Sequence, residues 1–265
     1  MTAFRPNDEV LFLMRIPKTG STSLALMLGS HFPAEARAKL LGRSLDGWDH
    51  GVARTHDQLR RWMVRSSRGF AARAGSLIGR PDPVATARFL EGHHPIWAPI
   101  RTRKRVRAVT VLRDPVDRFL SNLAFIRNRA RTRALPRSRV KTGALALEPD
   151  AFVRGLLASS ARTRLNSHCL YLTPSARFEE AARALDEHLI MAALYEDLPL
   201  LNETVASWLG EPPAAMRREK TGMREAEDLT LSPQTTADLR AALAEDYRLL
   251  DHIDRNRSTY LQPRG

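Results

Sequence analysis

The sequence predicts an α/β fold of three layers, in which helices cover both faces of a mostly parallel central sheet. Apolar runs of strand length occur at residues 10–14 and 189–195, a run rich in β-forming residues occurs at 107–112, and helical patterns lie between and after them. Strands that alternate with helices form parallel sheets through crossover connections. The length of 265 residues allows one large core, so we expect a single domain over 1–265, with a basic loop at about 127–146.

The first strand and the turn after it organise the chain. Residues 10–14 contain no polar side chain, which is typical of a strand buried on both faces, and residues 24–28 begin a buried helix. Residues 33–54 are interrupted by proline and glycines and predict irregular structure. Thr55 can cap a helix that reaches about Arg65, and residues 87–91 predict a short strand.

The second half of the chain repeats the alternation. Asp114 and Pro115 predict an N-cap and first helical position directly after the strand at 107–112, for a helix that reaches about Ala130. Helical patterns follow at 150–160 and 175–188. A buried strand is expected at 189–195, a helix at 196–209, and one final helix from about 233 to 253.

Composition and charge restrict the class of protein. The chain has a formal net charge of +13 and one cysteine, Cys169, so no internal disulfide forms and a reducing compartment is expected. The polar N-terminus does not read as a signal peptide, and no apolar window has transmembrane length. We therefore expect a cytoplasmic protein without a transmembrane segment. The excess of positive charge indicates anionic ligands.

The turn between the first strand and its helix has the composition of an anion cradle. A strand–turn–helix directs backbone N–H groups and a helix dipole at one point, where phosphate or sulfate binds. Gly20 allows close backbone approach, and Lys18 adds a charge. Hydroxyl donors come from the neighbouring residues Thr19, Ser21, Thr22 and Ser23. The lysine precedes the glycine, which differs from the nucleoside-triphosphate loop G-x-x-x-x-G-K-[ST].

Two motifs resemble those of sulfotransferases that use 3'-phosphoadenosine 5'-phosphosulfate, in particular the bacterial type of the carbohydrate 2-O-sulfotransferase-like branch. Residues 16–23, IPKTGSTS, resemble the P-loop-like turn that binds the 5'-phosphosulfate in that family. Residues 111–121, VLRDPVDRFLS, resemble its 3'-phosphate motif and occur about ninety residues later. The resemblance covers about 10–30 and 90–125.

The resemblance implies roles for particular residues. Lys18 would stabilise the leaving group, while Arg113 and Ser121 would hold the 3'-phosphate. Arg118 lies on the face of Ser121 and could bind the phosphate or pair with a carboxylate. Lys220 and Thr221 fall where the family has a loop over the adenosine, and Asn166 lies in a segment near the ligands.

A histidine is expected to act as the base. Gly92-His93-His94-Pro95 places two histidines between the motifs, and histidine can deprotonate a hydroxyl near neutral pH. The branch with a histidine base carries a glycine–histidine step there, so we choose His93 and keep His94 as the alternative.

The expected activity is metal-independent transfer of a sulfuryl group from 3'-phosphoadenosine 5'-phosphosulfate to an acceptor hydroxyl, with adenosine 3',5'-bisphosphate as product. The acceptor is expected to be an anionic carbohydrate, because arginines and two lysines are concentrated in residues 101–107 and 127–141. No nucleic-acid partner is expected. The alternative functions are a non-catalytic polyanion-binding protein on the same scaffold and a P-loop kinase that uses ATP. For the tract at 127–141, the alternative to an acceptor-binding surface is a solvated loop. The sequence does not indicate an oligomeric state.

Overall fold

A computed structural model describes residues 3–40, 83–100, 102–132, 144, 146–159, 165–215 and 229–262. In these residues five parallel strands form one sheet in the order β2-β3-β1-β4-β5. The strands are β1 (Glu9–Met14), β2 (Arg37–Leu40), β3 (Phe89–Gly92), β4 (Arg105–Leu112) and β5 (Leu189–Leu194). The predicted α/β fold with a parallel sheet is confirmed.

Helices of the described residues cover both faces of the sheet, as predicted. They are α1 (Ser21–Ser30), α2 (Pro83–Thr86), α3 (Pro115–Thr132), α4 (Pro149–Leu157), α5 (Ser167–Leu172), α6 (Phe178–His188), α7 (Leu198–Leu209), α8 (Pro233–Ala242), α9 (Ala244–Arg255) and α10 (Arg257–Tyr260). Short 3₁₀ turns precede β2 and α7.

The alternation of side chains along β1 divides the core into two layers. Val10, Phe12 and Met14 belong to a cluster with residues of α5, α6, α9 and α10. Leu11 and Leu13 belong to a second cluster, with residues of α1 and α7. Since successive strand residues point to opposite faces, an unbroken apolar run is what a central strand covered on both sides requires.

A third apolar cluster joins α3, α4 and α8 beside the sheet. It contains Phe119 and Leu123 of α3, Phe152 of α4 and Leu239 of α8, all buried. Asp114 caps α3, because its Oδ1 accepts the backbone N–H of Asp117 at 2.9 Å. This confirms the predicted N-cap and fixes the direction in which α3 leaves the end of β4.

Two predictions about elements were wrong. Residues 37–40 lie within a stretch predicted to be irregular and form β2, an edge strand whose residues are alternately exposed and half-buried. Four residues of sequence RAKL are too short and too polar to give a strand pattern. At Gly92 an added Cβ would collide with the carbonyl oxygen of Leu40, so β2 approaches β3 where glycine leaves room.

The predicted helix over 233–253 is two helices that meet at Leu243. A continuous helix would bond the N–H of Asp246 to the carbonyl of Ala242. Instead, Asn166 enters this gap: its Nδ2 donates to Ala242 O at 3.0 Å and its Oδ1 accepts from Asp246 N at 3.0 Å. A side chain inserted into the helical hydrogen bonds is a recognised cause of a break. The inserted residue is distant in sequence, so the local pattern cannot reveal it.

Candidate active site

Four strands end side by side at one edge of the sheet, and a candidate functional residue follows each of them. Met14 of β1 is in register with Gly92 of β3 and with Thr110 of β4, and Leu112 is in register with Leu194 of β5. The next residues along the chain are Arg15, His93, Arg113 and Tyr195. In open parallel sheets ligands bind outside the carboxyl ends of the strands. The predicted edge of the sheet therefore carries both resembling motifs.

The loop from Ile16 to Gly20 has the conformation of an anion-binding turn. Lys18 and Gly20 both have left-handed backbones, with φ of 68° and 76°. A left-handed lysine costs roughly 1–2 kcal/mol relative to an ordinary backbone, and such outliers concentrate at ligand sites. The hydroxyls of Thr19 and Ser21 donate to the carbonyl of Ile16 at 2.9 and 3.1 Å. They thus hold the loop against its own first residue.

Backbone N–H groups of this loop are candidate donors to an anion. The loop leads into α1 at Ser21, and the first N–H groups of a helix have no intrahelical acceptor. Turns that contain left-handed residues similarly direct successive N–H groups into one concavity. The Thr22 hydroxyl accepts a hydrogen bond from Arg15 Nη2 at 2.9 Å. Ser23 lies in the same half-buried first turn.

Lys18 connects the loop to α3. Its Nζ lies over the ring of Phe125, 4.6 Å from the ring centroid, a distance at which a cation is attracted to an aromatic face. Asp117, Ser121 and Phe125 are spaced four residues apart and share one face of α3. The half-buried Ser121 therefore lies on the face of α3 that Lys18 contacts, one turn before Phe125.

Arg113 reaches the loop through Tyr195. Its guanidinium carbon lies 5.2 Å from the centroid of the Tyr195 ring, and a Cβ added to Gly20 would be 2.6 Å from Cε2 of that ring. Arg113 also pairs with the exposed Asp117 at 3.6 Å. Tyr195 is 45% exposed although it follows a buried strand. The sequence interpretation missed it, and its position directly after β5 was the available signal.

The two histidines have different environments. His94 is buried, its Nε2 lies 3.3 Å from Ala98 O, and its ring packs edge-on against Phe12. Burial lowers the pKa of His94, as expected where the charged ring would lose its hydration. His94 is thus part of the core, whereas His93 is only half-buried at the sheet edge.

The contact of His93 sets its tautomer. Nδ1 lies 2.7 Å from the carbonyl oxygen of Arg15. A carbonyl can only accept, so Nδ1 carries the proton and donates it. In the neutral ring the lone pair is then on Nε2, the nitrogen that can take a proton from another molecule. The structure thereby favours His93 over His94 as a candidate base.

Two residues considered as ligand contacts make hydrogen bonds within the protein, and their contact with a ligand stays a prediction. Arg118 is 1% exposed, and its Nη2 donates to Ser167 Oγ at 2.9 Å. Asn166 uses its amide group in the helix break described above. Asp246, which accepts the N–H groups of His168 and Cys169 at the start of α5, is fully buried, and this burial raises its pKa to about 6. The positive charge of Arg118 lowers the pKa of Asp246, opposing the effect of burial. This interaction fits the predicted alternative that Arg118 pairs with a carboxylate.

Some predicted site residues lie outside the described residues. These are Lys220 and Thr221, the predicted helix at 55–65, and most of the basic tract at 127–141. Arg127 in the last part of α3 is described, and its side chain donates to the carbonyls of Ala144 and Leu147. Among the described residues no group of three His, Cys, Asp or Glu is placed to hold a metal ion. The metal-independent reaction stays a prediction.

No helix of the described residues is both long enough and apolar enough to cross a membrane. No protein-family model matches the sequence, and no curated protein matches it. Among solved structures, the fold is similar to that of a sulfotransferase from Alicyclobacillus acidocaldarius, with 17% identity and a TM-score of 0.45 over 97% of this chain and 99% of that one. A likeness of this degree does not establish a shared activity, so a function has to come from the residues of this chain.

Proposed function

We propose that this protein is a sulfotransferase that moves a sulfuryl group from 3'-phosphoadenosine 5'-phosphosulfate to a hydroxyl of an acceptor. The observation that carries the proposal is the convergence at one sheet edge of an anion-binding turn with a lysine, an arginine and a histidine of fixed tautomer. Each of these groups has a use in sulfuryl transfer. Lys18, His93 and Arg113 follow three different strands, β1, β3 and β4, whose ends lie side by side in the sheet.

The residues present fit the donor. The loop from Lys18 through Ser23 supplies the N–H groups and charge for the 5'-phosphosulfate, and Arg113 with Ser121 supplies a cation and a hydroxyl for the 3'-phosphate. Tyr195 lies between these two groups and offers an exposed aromatic face. Lys220 and Thr221 would cover the adenosine.

The chain divides the chemistry between Lys18 and His93. When bound, the phosphosulfate supplies the sulfuryl group, which forms a bond to the acceptor oxygen as its bond to the phosphate oxygen breaks. Lys18 would offset the negative charge that the phosphate gains. His93 Nε2 would take the hydroxyl proton, while the Arg15 carbonyl holds Nδ1–H and stabilises the ring that becomes positively charged. Such transfer depends on position and charge.

The proposed acceptor is an anionic carbohydrate. The donor alone needs a few cations, whereas the chain carries an excess of +13, part of it in the basic tract at 127–141, which begins in α3, the helix that carries Ser121. The other predicted basic run does not serve this role, because Arg105 and Arg107 lie at the start of β4, the end of that strand opposite the candidate site, and Arg107 is buried. Clustered charge near a cleft raises the local concentration of an anionic substrate. Because the sequence has a single cysteine, Cys169, it forms no internal disulfide, which fits a reducing compartment, and we propose a cytoplasmic reaction.

The decisive experiment measures release of adenosine 3',5'-bisphosphate from the phosphosulfate donor with a panel of neutral and anionic glycans. Release that depends on a glycan supports the proposal. Magnesium-dependent ATP turnover would instead identify a kinase. Binding of polyanions without turnover of either donor would identify a binding protein.

Variants assign the residues. His93→Ala should lower turnover about 10²-fold or more with donor affinity retained, and His94→Ala serves as the matched control. Arg113→Ala should weaken adenosine 3',5'-bisphosphate by about 2 kcal/mol, roughly thirtyfold, measured by calorimetry. If His94→Ala alone abolishes turnover of folded protein, the base is His94 and the assignment from tautomer is wrong.

Salt tests the acceptor class. The Debye length falls from about 10 Å at 0.1 M to about 3 Å at 1 M, so the KM of an anionic glycan should rise steeply with salt. Replacement of Arg131, Arg133, Arg137 and Arg139 by serine should reproduce the high-salt KM at low salt. An unchanged KM in that variant would show that the tract at 127–141 is a solvated loop that does not bind the acceptor.

A further inference from the structure

Arg15 contacts both halves of the candidate site. Its backbone N–H donates to the carbonyl of Gly92 at 2.9 Å, which extends the pairing of β1 with β3 by one residue. Its own carbonyl accepts from His93 Nδ1. The next carbonyl, that of Ile16, accepts from the hydroxyls of Thr19 and Ser21 in the loop. Two consecutive carbonyls of this dipeptide therefore hold the histidine and the loop.

The side chain of Arg15 adds a second connection. Nη1 donates to Glu91 Oε2 at 2.7 Å, and Nη2 donates to the hydroxyl of Thr22 at 2.9 Å. Glu91 lies two residues before His93 on β3, and Thr22 lies in the first turn of α1. The guanidinium therefore spans from the strand that carries the base to the helix that begins at the anion-binding turn.

The setting makes this connection stronger than a surface ion pair. The side chains of Arg15 and Glu91 are only 16% and 12% exposed, so water screens their attraction less than it would on the surface. A planar guanidinium holds two acceptors in fixed directions. Glu91 also meets Lys39 at 3.3 Å, but the Lys39 side chain is 72% exposed. Arg15 is thus the partner that ties Glu91 to the site.

We propose that Glu91 and Arg15 are positioning residues that fix the separation between the anion-binding turn and His93. We call the contact chain Glu91–Arg15–Thr22 the strut. The inference rests on the proposed sulfuryl transfer, in which the turn holds the donor and His93 the acceptor proton. The turn and the histidine each keep their own contacts without the strut. The Ile16 carbonyl accepts the hydroxyls of the loop, and the Arg15 carbonyl accepts the N–H of His93. The backbone of Arg15 and Ile16 already joins the two halves, and the strut restrains the remaining motion of α1 relative to β3, to which transfer is sensitive because it depends steeply on position.

The kinetic test uses variants at both ends of the strut. Glu91→Ala should lower kcat by about ten- to a hundredfold, the scale expected for a small misplacement, while the Kd for adenosine 3',5'-bisphosphate changes less than about twofold, because the loop itself remains. Glu91→Gln keeps a hydrogen-bond acceptor of the same length and should recover part of kcat. Thr22→Val breaks the other end and should show the same loss of kcat at saturating donor; because Thr22 also belongs to the proposed donor-binding turn, the Kd comparison is made on Glu91→Ala alone.

The combined variant separates a strut from two independent structural effects. A strut broken at one end is already lost, so Glu91→Ala with Thr22→Val should be little slower than either change alone, whereas independent effects would multiply. Lys39→Ala is the matched control, since it removes the other partner of Glu91 and should leave kcat unchanged. If Glu91→Ala does not fold, Glu91→Gln and Thr22→Val carry the same comparison.

A spectroscopic measurement follows the strut without turnover. In protein labelled with ¹⁵N-histidine, adenosine 3',5'-bisphosphate should shift the His93 ring resonances of the wild type while Nδ1 stays protonated. In Glu91→Ala the tautomer should persist and the ligand-induced shift should shrink. A wild-type kcat in Glu91→Ala, or multiplicative loss in the double variant, would overturn the strut alone. Absence of donor turnover in the wild type would overturn the proposed function, and the strut with it.

Discussion

Substitution of Gly20 by alanine tests how the loop, Tyr195 and Arg113 are packed. Gly20 has φ of 76°, and an added Cβ would lie 2.6 Å from Cε2 and 3.0 Å from Cδ2 of Tyr195, as well as 3.2 Å from Cδ1 of Leu198. The left-handed backbone costs alanine about 1–2 kcal/mol. Displacement of the ring adds about 1–2 kcal/mol, within the range for overpacking. Gly20→Ala should therefore reduce the free energy of unfolding by about 2–4 kcal/mol.

Gly210 provides a matched control for the backbone part of this cost. It has φ of 75°, yet an added Cβ would meet nothing within 4 Å. Gly210→Ala should thus lose only the backbone contribution, about 1–2 kcal/mol, and should leave ligand binding unchanged. Urea denaturation of both variants gives the difference directly, and thermal unfolding should show a shift of roughly 2–4 °C per kcal/mol.

The same substitution should weaken ligand binding, because a displaced Tyr195 ring can no longer lie beneath Arg113. Calorimetry with adenosine 3',5'-bisphosphate should show about a tenfold loss for Gly20→Ala, or roughly 1.4 kcal/mol. Removal of the ring in Gly20→Ala with Tyr195→Ala should restore the overpacking part of the stability without restoring affinity. If Gly20→Ala costs no more stability than Gly210→Ala, Tyr195 does not press on the loop and the reasoning fails.

Three further predictions concern the surrounding charges and histidines. Asp117→Asn should tighten adenosine 3',5'-bisphosphate a few-fold in calorimetry at low salt, because the carboxylate that pairs with Arg113 competes with phosphate; equal affinity would show that the pair does not compete. His94→Ala should lower the free energy of unfolding by about 2 kcal/mol through loss of a buried ring, while kcat per folded molecule stays within about threefold. Relative to Asp246→Asn, the wild type should lose stability as pH rises from about 4 through 6, by up to about 3 kcal/mol, because the folded protein holds the Asp246 proton more tightly than the unfolded chain does. Denaturation curves for both proteins at each pH measure that difference, and a pH-independent difference would show that the carboxyl titrates alike in both states.

The sequence predicted the parts of the fold that depend on local pattern. An unbroken apolar run must be covered on both faces, so residues 10–14 indicated a central strand, and the Asp114-Pro115 step indicated where α3 begins. Parallel strands end at one edge, so the placement of His93 and Arg113 near the loop followed once their strands were recognised. Elements that depend on distant residues were not predictable: β2 exists as an edge partner of β3, and the break at Leu243 comes from Asn166.

The roles of side chains within the site depended on tertiary structure, because a role is set by what surrounds the group. Two adjacent histidines look equivalent in sequence, yet one packs on Phe12 in the core and the other meets the Arg15 carbonyl at the sheet edge. Arg113 and Arg118 belong to one motif, but the strand end leaves the first half-exposed while the helix turns the second into the core. Periodicity indicates which face of an element is buried, whereas hydrogen-bond partners, tautomers and the packing of Tyr195 on Gly20 arise only when separate segments meet.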